Sequence, residues 1–259
     1  MIYNYHAHTY RCGHAFGTEE EFIKRALEGG IKFMGFSDHI PLRFEDGTES
    51  NYRVPVDQGK EYCKAIKALA NKYRDKMEIS VGFEVEYYPQ YFDMMFKNAL
   101  SYGAEYLILG QHYVAPENIS PMGVIKETDC VKRLENYTDI LLEAMKTGVF
   151  TYVAHPDMFN FTGDIDIYRN QVRRVCIASR ELNIPLEINL YGIRVGRNYP
   201  NETFWKIASE ERSPVTFGFD SHDVFGAYDA DSVVKAKEIV NKLNLNYIGK
   251  PNCVLIQEL

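Results

Sequence analysis

Histidine and acidic residues recur in this chain directly after short apolar segments, at the points where strands would end. They are His6, His8, Asp38, His39, Glu84, His112, His155, Asp220 and His222, and His14 lies six residues beyond His8. Imidazole together with carboxylate is the ligand set that suits Zn, Fe and Mn, whereas carboxylates alone would suggest Mg or Ca. A single histidine after a strand is usually structural, but the repetition of this placement predicts a metal centre.

The pair His6 and His8 has the spacing of two ligands for one ion. Side chains at positions i and i+2 of a strand point to the same face, so both imidazoles can bind the same metal. A carboxylate such as Glu84 can bridge two ions that lie ~3.5–4 Å apart. The candidate ligands outnumber the three protein ligands of a single catalytic zinc, so we expect two or three ions of Zn, Fe or Mn.

Short apolar segments, rich in aromatic and β-branched residues, alternate with longer amphipathic ones along the whole chain. The predicted strands are Ile2–Tyr5, Phe33–Ser37, Ile79–Phe83, Tyr106–Leu109, Thr151–Ala154, Leu186–Asn189 and Val215–Phe219. The predicted helices are Thr18–Leu27, Val56–Tyr73, Tyr91–Leu100, Asp129–Lys146, Ile167–Leu182, Glu202–Glu211 and Asp231–Leu243. This alternation is typical of a parallel sheet with helical crossovers.

Seven such units without a break in composition predict a single domain over residues 1–259. The predicted fold class is α/β, a distorted (β/α)7 TIM-like barrel. The carboxyl ends of all strands open onto one face of such a barrel, so we expect the metal site there. The polar, turn-rich segment Pro41–Pro55 is predicted to form a rim or lid of that site.

Charge and composition narrow the classes of partner and compartment. The net charge is −7 and there is no long basic run, so a dedicated nucleic-acid binder is disfavoured. No apolar run approaches the ~20 residues that a membrane span needs. The first residues, MIYNYHAH, do not resemble a signal peptide, so we expect a cytoplasmic protein. The five scattered cysteines predict neither a disulfide framework nor a zinc ribbon.

The order of these motifs resembles the polymerase and histidinol phosphatase (PHP) superfamily. The matching residues are His6-x-His8, Asp38-His39, Glu84, His112, His155 and Asp220-x-His222. Two further segments, Tyr10–Ala15 (YRCGHA) and Leu186–Pro200 (LEINLYGIRVGRNYP), resemble those of the stand-alone histidinol-phosphate phosphatases within it.

The resemblance implies three metal sites. It assigns one ion to His6, His8, Glu84 and Asp220, a second to Glu84, His112 and His155, and a third to His14, His39 and His222. Glu84 would then bridge two ions, and Glu84 and Asp220 would be catalytic. The position of His14 in a variable loop leaves a solvated role open for it.

Arginine is the side chain best suited to grip phosphate oxygens in a bidentate manner. Arg194, just past the sixth strand, is the preferred candidate for binding phosphate and for a catalytic role, with Arg197 second and His14 also in reach. We expect Arg43 and Arg53, in the long second loop, to remain in solvent.

Other polar and aromatic residues near the predicted ligands have two interpretations each. Asp38, Asp157 and Asp223 either orient imidazoles or cap turns and helices, and an alternative role for Asp38 or Asp157 is to protonate the leaving group. Tyr113 and Tyr191 either line a pocket for an imidazole ring or belong to the core.

The function that the resemblance implies is hydrolysis of L-histidinol phosphate to L-histidinol and phosphate, a step of histidine biosynthesis. The expected mechanism is in-line attack by a hydroxide that bridges two metal ions. The alternative within the superfamily is a phosphoesterase for a different small phosphate ester or a nucleotide. A third hypothesis is a metal-binding module without catalysis, which a Glu84→Ala variant would distinguish because an enzyme would lose turnover while staying folded.

Overall fold

The computed structural model describes all 259 residues. Its strands are β1 (Tyr3–Asn4), β2 (Phe33–His39), β3 (Glu78–Val85), β4 (Tyr106–Leu109), β5 (Phe150–Val153), β6 (Leu186–Asn189), β7 (Pro214–Gly218) and β8 (Asn246–Tyr247). Its helices are α1 (Glu19–Glu28), α2 (Gly59–Tyr73), α3 (Pro89–Tyr102), α4 (Val131–Lys146), α5 (Ile165–Leu182), α6 (Leu190–Val195), α7 (Glu202–Glu210) and α8 (Ala230–Leu243).

All strands are parallel and lie in chain order from β1 to β8, as expected when helices connect neighbouring strands. The longest pairing joins β2 to β3 and ends with His39 opposite Glu84. The register therefore brings the motif of one strand against the motif of the next at the carboxyl end of the sheet. The predicted α/β barrel with the site at that end is confirmed.

The sheet closes into a barrel through side chains and a short bridge between β1 and the end of β7. The Asn4 Oδ1 atom accepts a hydrogen bond from Phe219 N, at 3.1 Å. Beyond it, His8 N donates to Ser221 O at 2.9 Å, and Ser221 N donates to His6 O at 3.2 Å. The closure therefore fixes the backbone on both sides of the His6-x-His8 pair.

Two elements were not predicted. Strand β8 has only two residues, one exposed and one half-buried, so no apolar run marks it. It pairs with the first residues of β7, which gives eight strands rather than the predicted seven. Helix α6 is six residues long, too short to show a helical period; the Asn189 side chain caps its start and Gly196 ends it in a left-handed conformation.

The hydrophobic core lies in two layers. A cluster of 61 buried residues fills the space between the sheet and the helices. Inside the barrel, a smaller cluster contains the aromatic residues Tyr3, Tyr5, Tyr106 and Tyr152. These rings close the barrel below the metal-site motifs. No helix is both long and apolar enough to cross a membrane.

Candidate metal centre

The predicted ligands lie together at the carboxyl ends of the strands. Several groups of three fall within 4.8 Å of one another, measured between potential ligand atoms: His6–His8–Glu84, His6–His155–Asp220, His8–Asp220–His222 and His39–Glu84–His112. His14 joins this cluster through His222, with 3.0 Å between their Nε2 atoms. The structure thus brings all nine predicted ligands into one site.

Glu84 is at the centre of the cluster. Its oxygens lie within 3.6 Å of ring nitrogens of His6, His8, His39, His112 and His155. A Cβ atom at position 110 would lie only 1.8 Å from Glu84 Oε1, so Gly110 provides the room for this carboxylate. Glu84 therefore lies between two sets of imidazoles, where the two oxygens of one carboxylate can reach both.

Asp220 and His155 reach the cluster from strained backbone positions. Their φ angles are +49° and +32°, a region that non-glycine residues adopt at a cost of about 1–3 kcal/mol. Asp220 Oδ1 lies 3.4 Å from His6 Nε2 and 3.2 Å from His8 Nε2. The fold thus holds these two side chains against the cluster despite the local strain.

His14 and His222 face each other through their Nε2 nitrogens. The Nδ1 atom of His14 is 2.9 Å from the carbonyl of Cys12, and that of His222 is 2.9 Å from the carbonyl of Asp220. Each Nδ1 atom therefore carries a proton, and the two Nε2 atoms, which are 3.0 Å apart, point toward each other. Two imidazole nitrogens so close together are placed to bind the same cation.

Carboxylates behind the cluster orient the imidazoles. Glu187 Oε1 lies 2.8 Å from His6 Nδ1 and Glu86 Oε1 lies 2.7 Å from His112 Nδ1, whereas Asp38 Oδ1, at 3.7 Å from His8 Nδ1, is beyond hydrogen-bond distance. A carboxylate in this position fixes the tautomer of a ligand histidine and increases its basicity. Sequence reasoning did not find Glu86 and Glu187. Two features of the sequence could have identified them: an acidic residue two positions after Glu84, and an acidic residue inside the buried strand LEIN.

The electrostatics of the cluster differ between its carboxylates and its individual imidazoles. Burial alone would raise the pKa of Glu84 and Asp220, but the surrounding imidazoles hold both well below the usual range. Burial lowers the pKa of His39, and burial with the nearby His8 lowers that of His222 to about 3. The site therefore offers ionised carboxylates and, at His39 and His222, neutral imidazoles, whereas the carboxylates around His6, His8 and His112 hold the pKa of these three imidazoles above its usual value.

Unpartnered buried atoms test whether these residues fit metal ions. His6 Nε2, His8 Nε2, His39 Nδ1 and Glu84 Oε2 are buried and have no hydrogen-bond partner. A buried polar atom without a partner lowers the stability of a protein by about 1–3 kcal/mol. These four atoms lie together at one site. Imidazole nitrogens and carboxylate oxygens converging without mutual hydrogen bonds fit transition-metal ions of the Zn, Fe or Mn type.

The cluster forms the floor of a cavity of about 370 Å³. Its walls are formed by Tyr52, Tyr113, Ile125, Met158, Tyr191, Arg197 and Tyr199. Tyr113 and Tyr191 therefore face the cavity, as the pocket interpretation predicted. The cavity combines a polar, metal-binding floor with aromatic walls, an arrangement suited to a small molecule that has an anionic end and an apolar or ring-bearing end.

The two candidate phosphate-binding arginines occupy different places. Arg197 lines the cavity. Arg194 does not, because Asp223 Oδ1 binds its Nη1 atom at 3.0 Å and its guanidinium lies 5.4 Å from the Tyr191 ring centre. The structure therefore favours Arg197 over Arg194, the reverse of the predicted order. The sequence spacing placed both on the correct face but could not show that Asp223 holds Arg194.

Asp157 acts as a capping residue rather than as part of the cavity. Its Oδ2 atom accepts hydrogen bonds from Asn201 N at 2.6 Å and Trp205 Nε1 at 2.7 Å, both at the start of α7. Burial raises the pKa of Asp157 to about 7. Asp38, the other predicted candidate for the leaving-group proton, accepts from Thr9 N and is buried. Neither lines the cavity.

Comparison with known proteins identifies the family. The PHP domain model matches residues 4–190. The chain belongs to the PHP domain family. The matched part of the PHP domain contains seven of the nine predicted ligands, and Asp220 and His222 follow it.

Relatives and solved structures of this PHP domain extend over nearly its full length. A probable histidinol-phosphatase of Deinococcus radiodurans is 26% identical over 245 residues, which cover 90% of this chain and 92% of that protein. The histidinol-phosphatase of Bacillus subtilis is 25% identical, with 87% and 96% covered. The crystal structure of histidinol phosphate phosphatase from Lactococcus lactis, complexed with zinc, L-histidinol and phosphate, superimposes with a TM-score of 0.73 at 17% identity, covering 95% of both chains.

Proposed function

We propose that this PHP protein is a metal-dependent phosphomonoesterase that hydrolyses L-histidinol phosphate to L-histidinol and phosphate in histidine biosynthesis. The observation that carries the proposal is the convergence of unpartnered imidazole nitrogens and Glu84 on the floor of an aromatic cavity. The relatives named histidinol-phosphatase support the choice of substrate. As part of the same proposal, residues 1–259 act as one domain in the cytoplasm, without a nucleic-acid or membrane partner.

The ligand sets that we propose are those that the family resemblance implies. One ion would be held by His6, His8, Glu84 and Asp220, a second by Glu84, His112 and His155, and a third by His14, His39 and His222. In support, Glu84 Oε1 lies 3.6 Å from His112 Nε2 and 2.8 Å from His155 Nε2, and the Nε2 atoms of His14 and His222 are 3.0 Å apart. His39 Nδ1 also lies 3.4 Å from Glu84 Oε2, so His39 connects the third set to the bridging carboxylate. When bound, divalent Zn, Fe or Mn ions would lower the pKa of a water molecule toward ~7 and neutralise charge on phosphoryl oxygens.

The protein side chains supply positioning and charge for the reaction. Glu84 and Asp220 remain ionised and hold the positive charge of the site in place. Arg197 at the cavity wall would bind the phosphate oxygens that point away from the floor. The tyrosine walls exclude water and strengthen these electrostatic interactions.

A Glu84→Ala variant tests the proposal. Phosphate release from L-histidinol phosphate is measured with metal-loaded wild type, with chelator-treated protein and with the variant. We expect turnover by the loaded wild type, loss of turnover on chelation with recovery on adding metal, and near-complete loss in the variant at an unchanged circular dichroism spectrum. A wild type that binds metal but releases no phosphate would support a binding module and refute the enzyme.

A further inference from the structure

The loop between β2 and α2, residues 41–55, turns inward and contributes Tyr52 to the wall of the cavity. The Tyr52 ring meets His39 edge-on, with ring centres 5.0 Å apart at 87°. It also stacks on Tyr113 with 6.0 Å between ring centres and 28° between planes. Tyr52 and Tyr113 thus line the cavity together, and the Arg53 guanidinium lies over the Tyr52 ring, 5.1 Å from its centre.

One buried carboxylate holds this loop in place. Glu117, from the loop after β4, accepts hydrogen bonds from Ser50 Oγ at 2.7 Å, Tyr52 OH at 2.8 Å and Arg53 Nε at 2.7 Å. Its second oxygen accepts from Tyr88 OH at 2.8 Å. Three of the four donors belong to residues 50–53, so Glu117 fixes the part of the loop that carries Tyr52.

Arg53 connects the same loop to the metal centre. It is buried, contrary to the solvent-exposed position predicted for it, because Glu117 and Glu86 compensate its charge. Its Nη1 atom lies 2.7 Å from Glu86 Oε2, and Glu86 Oε1 lies 2.7 Å from His112 Nδ1. The position of the loop is therefore coupled to the orientation of His112.

A second hydrogen bond joins the loop to the segment that carries Glu117. Asn118, the residue after Glu117, donates a hydrogen bond from its Nδ2 atom to Asp46 Oδ2 at 3.0 Å. Within the loop, Asp46 Oδ1 accepts from Thr48 N at 2.9 Å, which closes a tight turn. A side chain held this way pays little ordering entropy when a ligand packs on it.

We propose that Tyr52 is a specificity-determining residue and that Glu117 is its positioning residue. The pair selects phosphate monoesters whose other end carries a flat, unsaturated ring, because Tyr52 and Tyr113 present aromatic contact area to the cavity beside the metal-binding floor. This inference rests on the proposed function. It adds the side chains that recognise the ring rather than the phosphate.

The effect of Tyr52→Leu on substrate selectivity is the decisive test of this inference. The kcat/KM of the metal-loaded protein is measured for L-histidinol phosphate and for glycerol 3-phosphate, a monoester without a ring. Aromatic packing of this kind corresponds to about a 3- to 10-fold effect, so we expect the ratio of the two values to fall by that factor. Tyr52→Phe keeps the ring and should retain most of the ratio. Glu117→Gln should lower the ratio through a rise in KM for the ring-bearing ester.

The control and the contrary outcomes separate specificity from damage to the fold. Tyr73→Phe removes another hydroxyl that donates to a glutamate, Glu20 at 2.7 Å, far from the site, and should leave the ratio unchanged. Equal losses on both esters in Tyr52→Leu would show a structural role and overturn the inference. If the wild type prefers L-histidinol phosphate and Tyr52→Leu leaves the ratio unchanged, this inference alone is overturned. A wild type that does not turn over L-histidinol phosphate would instead overturn the proposed function.

Discussion

Replacing Glu187 by glutamine tests whether the residues behind the site control metal binding. Glu187 Oε1 lies 2.8 Å from His6 Nδ1, and its Oε2 accepts from His155 N and Asn189 Nδ2, both at 3.0 Å. Glutamine has one acceptor oxygen for these three donors, so its NH2 group must face at least one of them. Losing one charge-assisted hydrogen bond costs about 1.5–3 kcal/mol. We therefore expect metal affinity to fall about 10- to 100-fold.

The assay is competition for Zn²⁺ with a chromophoric chelator at pH 7.5, followed by metal analysis of the dialysed protein. Glu105→Gln is the matched control. Glu105 lies just before β4, away from the cluster, and its side chain accepts a hydrogen bond from Val81 N. The control should bind metal like the wild type. If Glu187→Gln also keeps wild-type affinity within about twofold while remaining folded, Glu187 does not orient His6 and the reasoning is refuted.

Three further changes have defined outcomes. Gly110→Ala places a Cβ atom 1.8 Å from Glu84 Oε1, so we expect phosphate release to fall roughly 100-fold, and undiminished activity with normal metal content would contradict the tight fit. Arg197→Met should lower kcat/KM about 10- to 100-fold by raising KM. A larger loss in Arg194→Met would show that Arg194, and not Arg197, binds the phosphate. The pKa of Asp157 is raised from 3.8 to about 7, so the stability it contributes is complete below pH 3.8 and lost as the pH rises through 7. Asp157→Asn should therefore gain stability relative to wild type between pH 5 and pH 8 in urea unfolding of the metal-free protein, by on the order of 2–3 kcal/mol; an equal difference at both pH values would refute the shift.

The strands and the placement of the candidate ligands were predictable because both depend on local pattern. Buried parallel strands read as apolar runs, and their carboxyl ends must meet in a barrel. His6, Glu84 and His155 could therefore be assigned to one face from the sequence alone. Strand β8 lacked that pattern, and α6 was too short to show one.

Contacts between loops were not predictable in the same way. Arg53 reads as a polar loop residue until Glu86 and Glu117 are seen to surround it. The choice between Arg194 and Arg197 depended on Asp223, which lies on a different strand end. Such pairings join residues far apart in the chain, and no spacing in the sequence encodes their distance.

The most direct test of the proposed function is the selectivity of the metal-loaded protein. Its kcat/KM for L-histidinol phosphate is compared with the values for a panel of phosphomonoesters, nucleotides and phosphodiesters. We predict that the value for L-histidinol phosphate exceeds the others by at least about tenfold, in line with a cavity that binds both the phosphate and the ring. Comparable rates on all substrates would contradict the histidinol-phosphate assignment and leave a PHP phosphoesterase without that specificity.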